Sequence, residues 1–407
     1  MTERQLSDFS LLTLKIGVNL QKGQSLEIIC PIEKYQVAHA MAKTAYSLGA
    51  KIVSVRWEDD LFDKINYENA SINALTEVPK WIVEQRNHLV KENFCYVAIS
   101  AEDPSVFKDI PAEKLSAVVK ARSQKLKKFS DCVMANGIRW CVVSVPTLAW
   151  AKQVFPTSDN PEDELWNAIC KTMRLDQDNP LESWVSHVEA LDNRAKFLND
   201  NNFSYIRFKN SIGTDLKVGL CDDHVWLSAK EKAKDGINFV ANMPTEEVFT
   251  APHKNMVFGR VKSALPLCYN GQIIDNFTID FNKGKIVGFS AEKGYDVLKG
   301  LIETDNGTFR LGEVALIGKT SPIAQTGVLF FNTLFDENAS CHLALGKGYP
   351  TTVKNSENLS KKELSSLGLN DSVEHVDFMI GTPDLSVTGV KSNGEEIPLF
   401  IDGDWCI

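Results

Sequence analysis

The period of apolar and polar positions changes near the middle of this chain. Over residues 6–18 apolar residues recur at helical spacing and stop beside Gly17, with Gly23 in the turn that follows. Residues 26–30 form a short apolar run of strand length, 33–48 form an amphipathic helix closed by Gly49, and 51–57 read as a second strand. The alternation continues with helices over 81–90 and 112–129 and strands over 94–100 and 140–146. Strands alternating with helices predict a parallel sheet with helices on its faces.

Two more helices are predicted around 163–173 and 180–197, with a turn over 176–180. Beyond them the texture becomes short alternating runs separated by Gly and Asn: 204–208, 214–218, 259–264, 273–281, 285–290, 308–316 and 373–380. A helix over 294–304 interrupts this series, and another is expected near Phe330. The expectation is an α/β parallel-sheet domain over residues 1–190 followed by a strand-rich α+β domain over 191–407. No G-x-G-x-x-G and no G-x-x-x-x-G-K-[ST] occurs, so the parallel sheet carries no dinucleotide or P-loop fingerprint.

Length and composition agree with two domains of a soluble globular protein: 407 residues, 43% apolar and 24% charged. No apolar run approaches the roughly 20 residues that span a bilayer, and no basic segment followed by an apolar core opens the chain. A formal charge of -9 argues against a nucleic-acid partner. The one basic run, 120–128, has apolar neighbours on one side of a helix and reads as a solvated face. Nine cysteines, with no C-x-x-C pair, sit mostly in apolar runs and read as reduced thiols of a cytoplasmic protein. Cys341 stands beside His342, but neighbours on a strand point to opposite faces, so the thiol reads as a buried small hydrophobe rather than a nucleophile.

Four acidic or histidine-bearing clusters fall in the second half. The densest runs from Asn332 to Tyr349 and holds Asp336, Glu337, His342 and Tyr349 in small, glycine-rich chain. His375 and Asp377 are two apart in a strand-like run, which puts both side chains on one face and suits two ligands of one metal centre. Glu313 lies in Arg-Leu-Gly-Glu-Val-Ala-Leu, where an ionised carboxylate is costly unless it meets Arg310 or a divalent cation. Glu246 and Glu247 stand in tandem between Pro244-Thr245 and Val248-Phe249. A turn start uses one such carboxylate, so Glu246 reads as capping or solvated and Glu247 as a metal ligand. His253, after a proline, reads as an exposed loop histidine; His39, His88, His187 and His224 lack matching acidic neighbours and read as structural.

The blocks Asn-Met-Pro-Thr-Glu-Glu-Val-Phe-Thr-Ala-Pro, Arg-Leu-Gly-Glu-Val-Ala-Leu, Phe-Asp-Glu-Asn-Ala-Ser-Cys-His-Leu-Ala-Leu-Gly and His-Val-Asp-Phe-Met-Ile-Gly resemble the signature blocks of the thermophilic metalloaminopeptidases, in the same order and at similar spacing. The resemblance extends to Ile-Gly-Val-Asn-Leu-Gln-Lys-Gly-Gln and Tyr-Ser-Leu-Gly-Ala-Lys near the start, and so spans the chain. It implies two divalent cations (Zn, Co, Mn or Mg) held by Glu247, Glu313, His342, His375 and Asp377, with Tyr349 in the same site. It also implies a homodimer and removal of N-terminal residues from peptides with a free amino terminus.

The chemistry is consistent with that family. Two cations acidify a shared water and polarise the scissile carbonyl, and a mixed carboxylate and imidazole set lacks the thiolates of a closed structural zinc site. Glu313 is the bridging candidate, and Tyr349 either ligates weakly or donates to the oxyanion. Glu246 and Glu337 both remain candidates for the general base. Two other readings keep the metal: a hydrolase of another amide or ester, and a binding protein without turnover.

Overall fold

The computed structural model describes residues 1–101, 106–269 and 272–407. The chain divides into two compact units, residues 1–186 with 230–244, and 187–229 with 245–407. The division at Ser186 and His187 falls inside the helix Pro180–Asn201.

The first unit is built on a four-stranded parallel sheet in the order Val53–Glu58, Leu26–Pro31, Cys95–Ser100, Trp140–Ser144. One face of the sheet is fully buried and apolar across three strands, through Leu26, Ile28, Cys95, Val97, Cys141 and Val143. Glu27, on the other face, is paired with the buried Arg86. The expected opening helix is Glu3–Leu12, with a π-helical turn Thr13–Gly17. The helix expected over 112–129 is two helices, Ala112–Lys125 and Lys127–Met134, because Leu126 takes φ -95°, ψ 7° and ends the hydrogen-bond ladder. Two helices between the second and third strands, Asp60–Asn69 and Ile72–Thr76, were not expected. They bury no residue, and Asp59 and Ser71 cap them. The segment 230–244 adds a short antiparallel pair, Lys230–Lys232 with Asn238–Val240.

The second unit is strand-rich, as its alternating texture predicts. A nine-stranded antiparallel sheet runs Leu267–Tyr269, Gln272–Asn282, Pro252–Lys262, Asp215–Leu220, Tyr205–Lys209, Ser386–Val390, Glu396–Ile401, Asp404–Trp405, with Lys285–Lys293 also paired to Gln272–Asn282. A smaller antiparallel sheet runs His375–Met379, His342–Gly346, Leu311–Leu316, Val248–Thr250. The ring of Phe277, from the large sheet, lies 5.5 Å from that of Phe378, from the small one. The strands Val248–Thr250, Leu267–Tyr269 and His342–Gly346 and the last three strands were absent from the predicted series, whereas the helix expected over 294–304 is present as Tyr295–Ile302. The helix expected near Phe330 is one turn, Thr333–Asp336, continued by a 3-10 turn Glu337–Ala339.

Candidate metal centre

The small sheet aligns the clusters that the sequence keeps apart. Across its strands Glu313 pairs with Ala344 and Ala344 with Asp377; Ala315 pairs with His342; Gly346 pairs with His375. Directly opposed residues share a face. Glu313, His342, His375 and Asp377 therefore point the same way, and the positions between them are Ala315, Ala344 and Gly346. Small residues at those three places leave the face open above the donors. Glu247, two residues before Phe249 at the entry to the edge strand, joins them from the side.

Two glycines make the strands fit. A β-carbon on Gly346 would lie 2.2 Å from the Glu374 carbonyl oxygen, and its φ of +105° lies in the left-handed region that favours glycine. A β-carbon on Gly312 would lie 2.3 Å from the Lys347 carbonyl oxygen, at the bulge between Leu311 and Glu313.

The donors converge on two neighbouring points. His342 Nε2 stands 3.4 Å from Glu247 Oε2 and 3.4 Å from Glu313 Oε1. His375 Nε2 stands 3.4 Å from Asp377 Oδ1 and 3.8 Å from Glu313 Oε2. The sets Glu247, Glu313, His342 and Glu313, His375, Asp377 are each tight enough to hold an ion, and Glu313 belongs to both. His375 Nδ1 lies 2.7 Å from the Lys347 carbonyl oxygen and His342 Nδ1 lies 3.3 Å from that of Ser340. A carbonyl only accepts, so each ring holds its proton on Nδ1 and presents Nε2 as a ligand atom.

The charges make the same demand. Asp377 Oδ1 is buried with no donor nearer than the His375 Nε2 3.4 Å away, and against burial His375 and His342 hold this carboxyl below its usual range. Burial pushes Glu247 up to about 8, opposed by His342 and reinforced by Glu313 and Asp377. Burial, then Glu247, Asp377 and Glu313, push Glu337 well above the usual carboxylate range. Burial works against charge on His342, yet its bond to Glu313 and the surrounding carboxylates raise it to about 10. His375 is raised to about 9, against burial, by Asp377 and then Glu313. Four carboxylates facing two imidazoles in a buried space are short of positive charge, which a divalent cation supplies. The donor set of oxygens and imidazole nitrogens, without thiolate, fits such an ion.

The remaining candidates separate. Tyr349 packs its ring 4.7 Å from His375 and 6.4 Å from Phe249, and burial together with Glu313, Asp377, Glu337 and Glu247 keeps its hydroxyl protonated. Glu337 lies near enough to Glu247, Asp377 and Glu313 for their charges to raise its proton affinity. Glu246 turns away: it is buried beside His187, Oε2 to Nε2 3.7 Å, and its N–H donates to Asn338 Oδ1 at 2.8 Å. Arg310 is engaged with Asn255 Oδ1 at 2.9 Å and with the Lys254 carbonyl, not with Glu313. His253 joins neither donor group; its Nδ1 accepts from the Asn255 N–H. Cys341 is buried, its Sγ 3.4 Å from both the N–H and the carbonyl of Ile317, and burial pushes the thiol up to about 12. Sequence reasoning read His187 as structural and gave no role to Asn338 or Phe249, although both stand inside the blocks that carry the resemblance.

Relatives carry the same architecture. The chain is 41% identical over 405 residues to "Aminopeptidase 2" of Geobacillus stearothermophilus, covering 99% of this chain and 98% of that one. It is 39% identical over 404 residues to "Aminopeptidase AmpS" of Bacillus subtilis, covering 99% and 98%. The solved structure of wild-type AmpT from Thermus thermophilus superposes with a TM-score of 0.92 at 34% identity, covering both chains completely. A family profile described as "Thermophilic metalloprotease (M29)" matches residues 2–405. With coverage of this extent, the chain belongs to the thermophilic metalloprotease (M29) family.

Proposed function

We propose that the protein is an aminopeptidase that removes N-terminal residues from peptides at a centre of two divalent cations. The observation that carries this reading is the division of Glu313: one carboxylate oxygen faces His342 and the other faces His375, each histidine standing with a second carboxylate. Glu247 and His342 would hold one ion, His375 and Asp377 the other, and Glu313 would bridge them. When bound, the pair supplies Lewis acidity, acidifying a shared water and polarising the scissile carbonyl.

The chain's own groups supply the rest. Glu337 is the general base in this reading, because it lies near the donor carboxylates while Glu246 is turned to His187. Burial, then Glu247, Asp377 and Glu313, raise its proton affinity, and in this reading its carboxylate takes a proton during attack and returns it to the leaving amine. Tyr349, kept protonated by burial and by the carboxylates around it, donates its O–H to the developing oxyanion. The packing of its ring against His375 and Phe249 fixes where the donating oxygen lies.

Zinc, cobalt, manganese and magnesium all suit the donor set. A homodimer is part of the proposal, supported by membership of the family. So is residence in the cytoplasm, supported by nine cysteines of which seven are buried or half-buried. Among the described residues no helix is long and apolar enough to cross a membrane.

Release of free amino acid from unblocked and N-acetylated short peptides, using chelated protein with and without each cation, tests the reading. The expected outcome is metal-restored cleavage confined to unblocked peptides. Folded, metal-loaded protein that turns over no peptide would overturn it. Light scattering of the purified chain tests the dimer.

A further inference from the structure

We propose that Asn338 is a positioning residue for catalysis, clamping the general base Glu337 to the chain that carries the ligand Glu247; this rests on the aminopeptidase reading above. Its side chain is nearly fully buried at the end of the turn that follows Asp336. Asn338 Oδ1 accepts the N–H of Glu246 at 2.8 Å. Asn338 Nδ2 lies 3.2 Å from the Leu334 carbonyl oxygen and 3.5 Å from Glu337 Oε1.

The orientation of this amide is dictated by its neighbours. The Glu246 N–H can only donate and the Leu334 carbonyl can only accept, so reversing the amide would oppose donor to donor and acceptor to acceptor. The NH2 group is thereby aimed at Glu337. The 3.5 Å contact is at the long end of a hydrogen bond.

Other bonds hold the start of the same turn. Asn332 Oδ1 caps the Leu334 N–H at 3.0 Å, and Asp336 accepts from Phe330 at 2.7 Å and from Asn332 at 3.0 Å. Ser321 Oγ donates to the Asn338 carbonyl at 3.3 Å and holds the end. None of these reaches the segment 245–247. The Asn338 amide does, and among the described residues it is also the hydrogen-bond donor that meets the Glu337 carboxylate. One side chain thus sets the distance between a metal ligand and the base. It occupies one oxygen of Glu337 and leaves the other for proton transfer.

A double-mutant cycle on the metal-loaded full chain tests this, pairing Asn338→Asp with Glu337→Gln and reading kcat, KM, bound metal and Tm with an unblocked peptide. Asn338→Asp keeps the acceptor for Glu246 and replaces the donor beside Glu337. The expected result is a fall in kcat of about 10²-fold, with KM and metal content close to wild type. In the Glu337→Gln background the same change should cost less than about twofold, because its route of action has already been removed.

If Asn338→Asp does not fold, Asn338→Ser replaces it with the same expectation, since its hydroxyl is too short to reach Glu337. Additive losses overturn the clamp, as does a loss expressed wholly in metal content, KM or Tm. A wild-type protein that turns over no peptide sinks the aminopeptidase reading and the clamp with it. Wild-type turnover with an additive cycle overturns the clamp alone.

Discussion

Glu313 faces two histidines with its two oxygens: Oε1 lies 3.4 Å from His342 Nε2 and Oε2 lies 3.8 Å from His375 Nε2. The two rings come from neighbouring antiparallel strands, and Glu313 comes from the strand on the other side of His342. Glu313→Gln should therefore disturb both proposed ion positions at once. Metal content by mass spectrometry should fall below one equivalent, with affinity down by more than the ~10–100-fold typical of an outer-shell partner. Full loading with two ions would refute the bridge.

The two candidate bases should separate by substitution. Glu337→Gln keeps shape and hydrogen bonding but cannot take the proton, so kcat should fall by about 10²–10⁴-fold with both ions retained. Glu246→Gln should leave kcat within about tenfold, since its carboxylate lies beside His187. The reverse ranking in steady-state kinetics would exchange their roles.

Tyr349→Phe preserves the ring that packs on His375 and removes only the donor. A loss of about 10²–10³-fold in kcat, with metal retained, is expected of one oxyanion donor. Loss of a metal equivalent instead would make the tyrosine a ligand.

Acidity should act oppositely on metal-free and metal-loaded protein. His342 and His375 are raised from 6.5 to about 10 and about 9, and Glu247 from 4.5 to about 8. All three bind protons more tightly folded than unfolded. Their contributions are complete below the unfolded values and disappear as pH rises through the folded ones. Chelated protein should lose Tm progressively between about pH 5 and pH 10. Metal needs the same groups deprotonated, so the Tm gained on loading should widen with pH, and calorimetry near pH 7.5 in two buffers should detect proton release. A gain in Tm that does not change with pH would contradict these shifts.

Gly346 occupies a position where a side chain is strained by φ +105° and by the Glu374 carbonyl. Gly346→Ala should cost at least about 1–3 kcal/mol in denaturant unfolding and should displace the strand of His375 and Asp377, lowering metal content as well. Unchanged stability would mean that the two strands can move apart freely.

The sequence by itself determined the local features. Its change of period separated a parallel α/β region from a strand-rich one, and the two-residue spacing of His375 and Asp377 placed both on one face. The apolar run around Glu313 called for a partner to its charge, either Arg310 or a divalent cation. These features are legible because periodicity and burial act within a single element. Tertiary structure alone separated the two candidate bases, since it sets Glu246 beside His187 and Glu337 among the charges of Glu247, Asp377 and Glu313. It also decided that Arg310 is spent on Asn255 and Lys254, and that Asn338 ties Glu337 to the Glu246 backbone. The strand register that sets Ala344 between Glu313 and Asp377 likewise comes from the packed sheet. Each of these depends on which distant strand or turn a residue meets, and pairing across a sheet leaves no period in the chain that carries it.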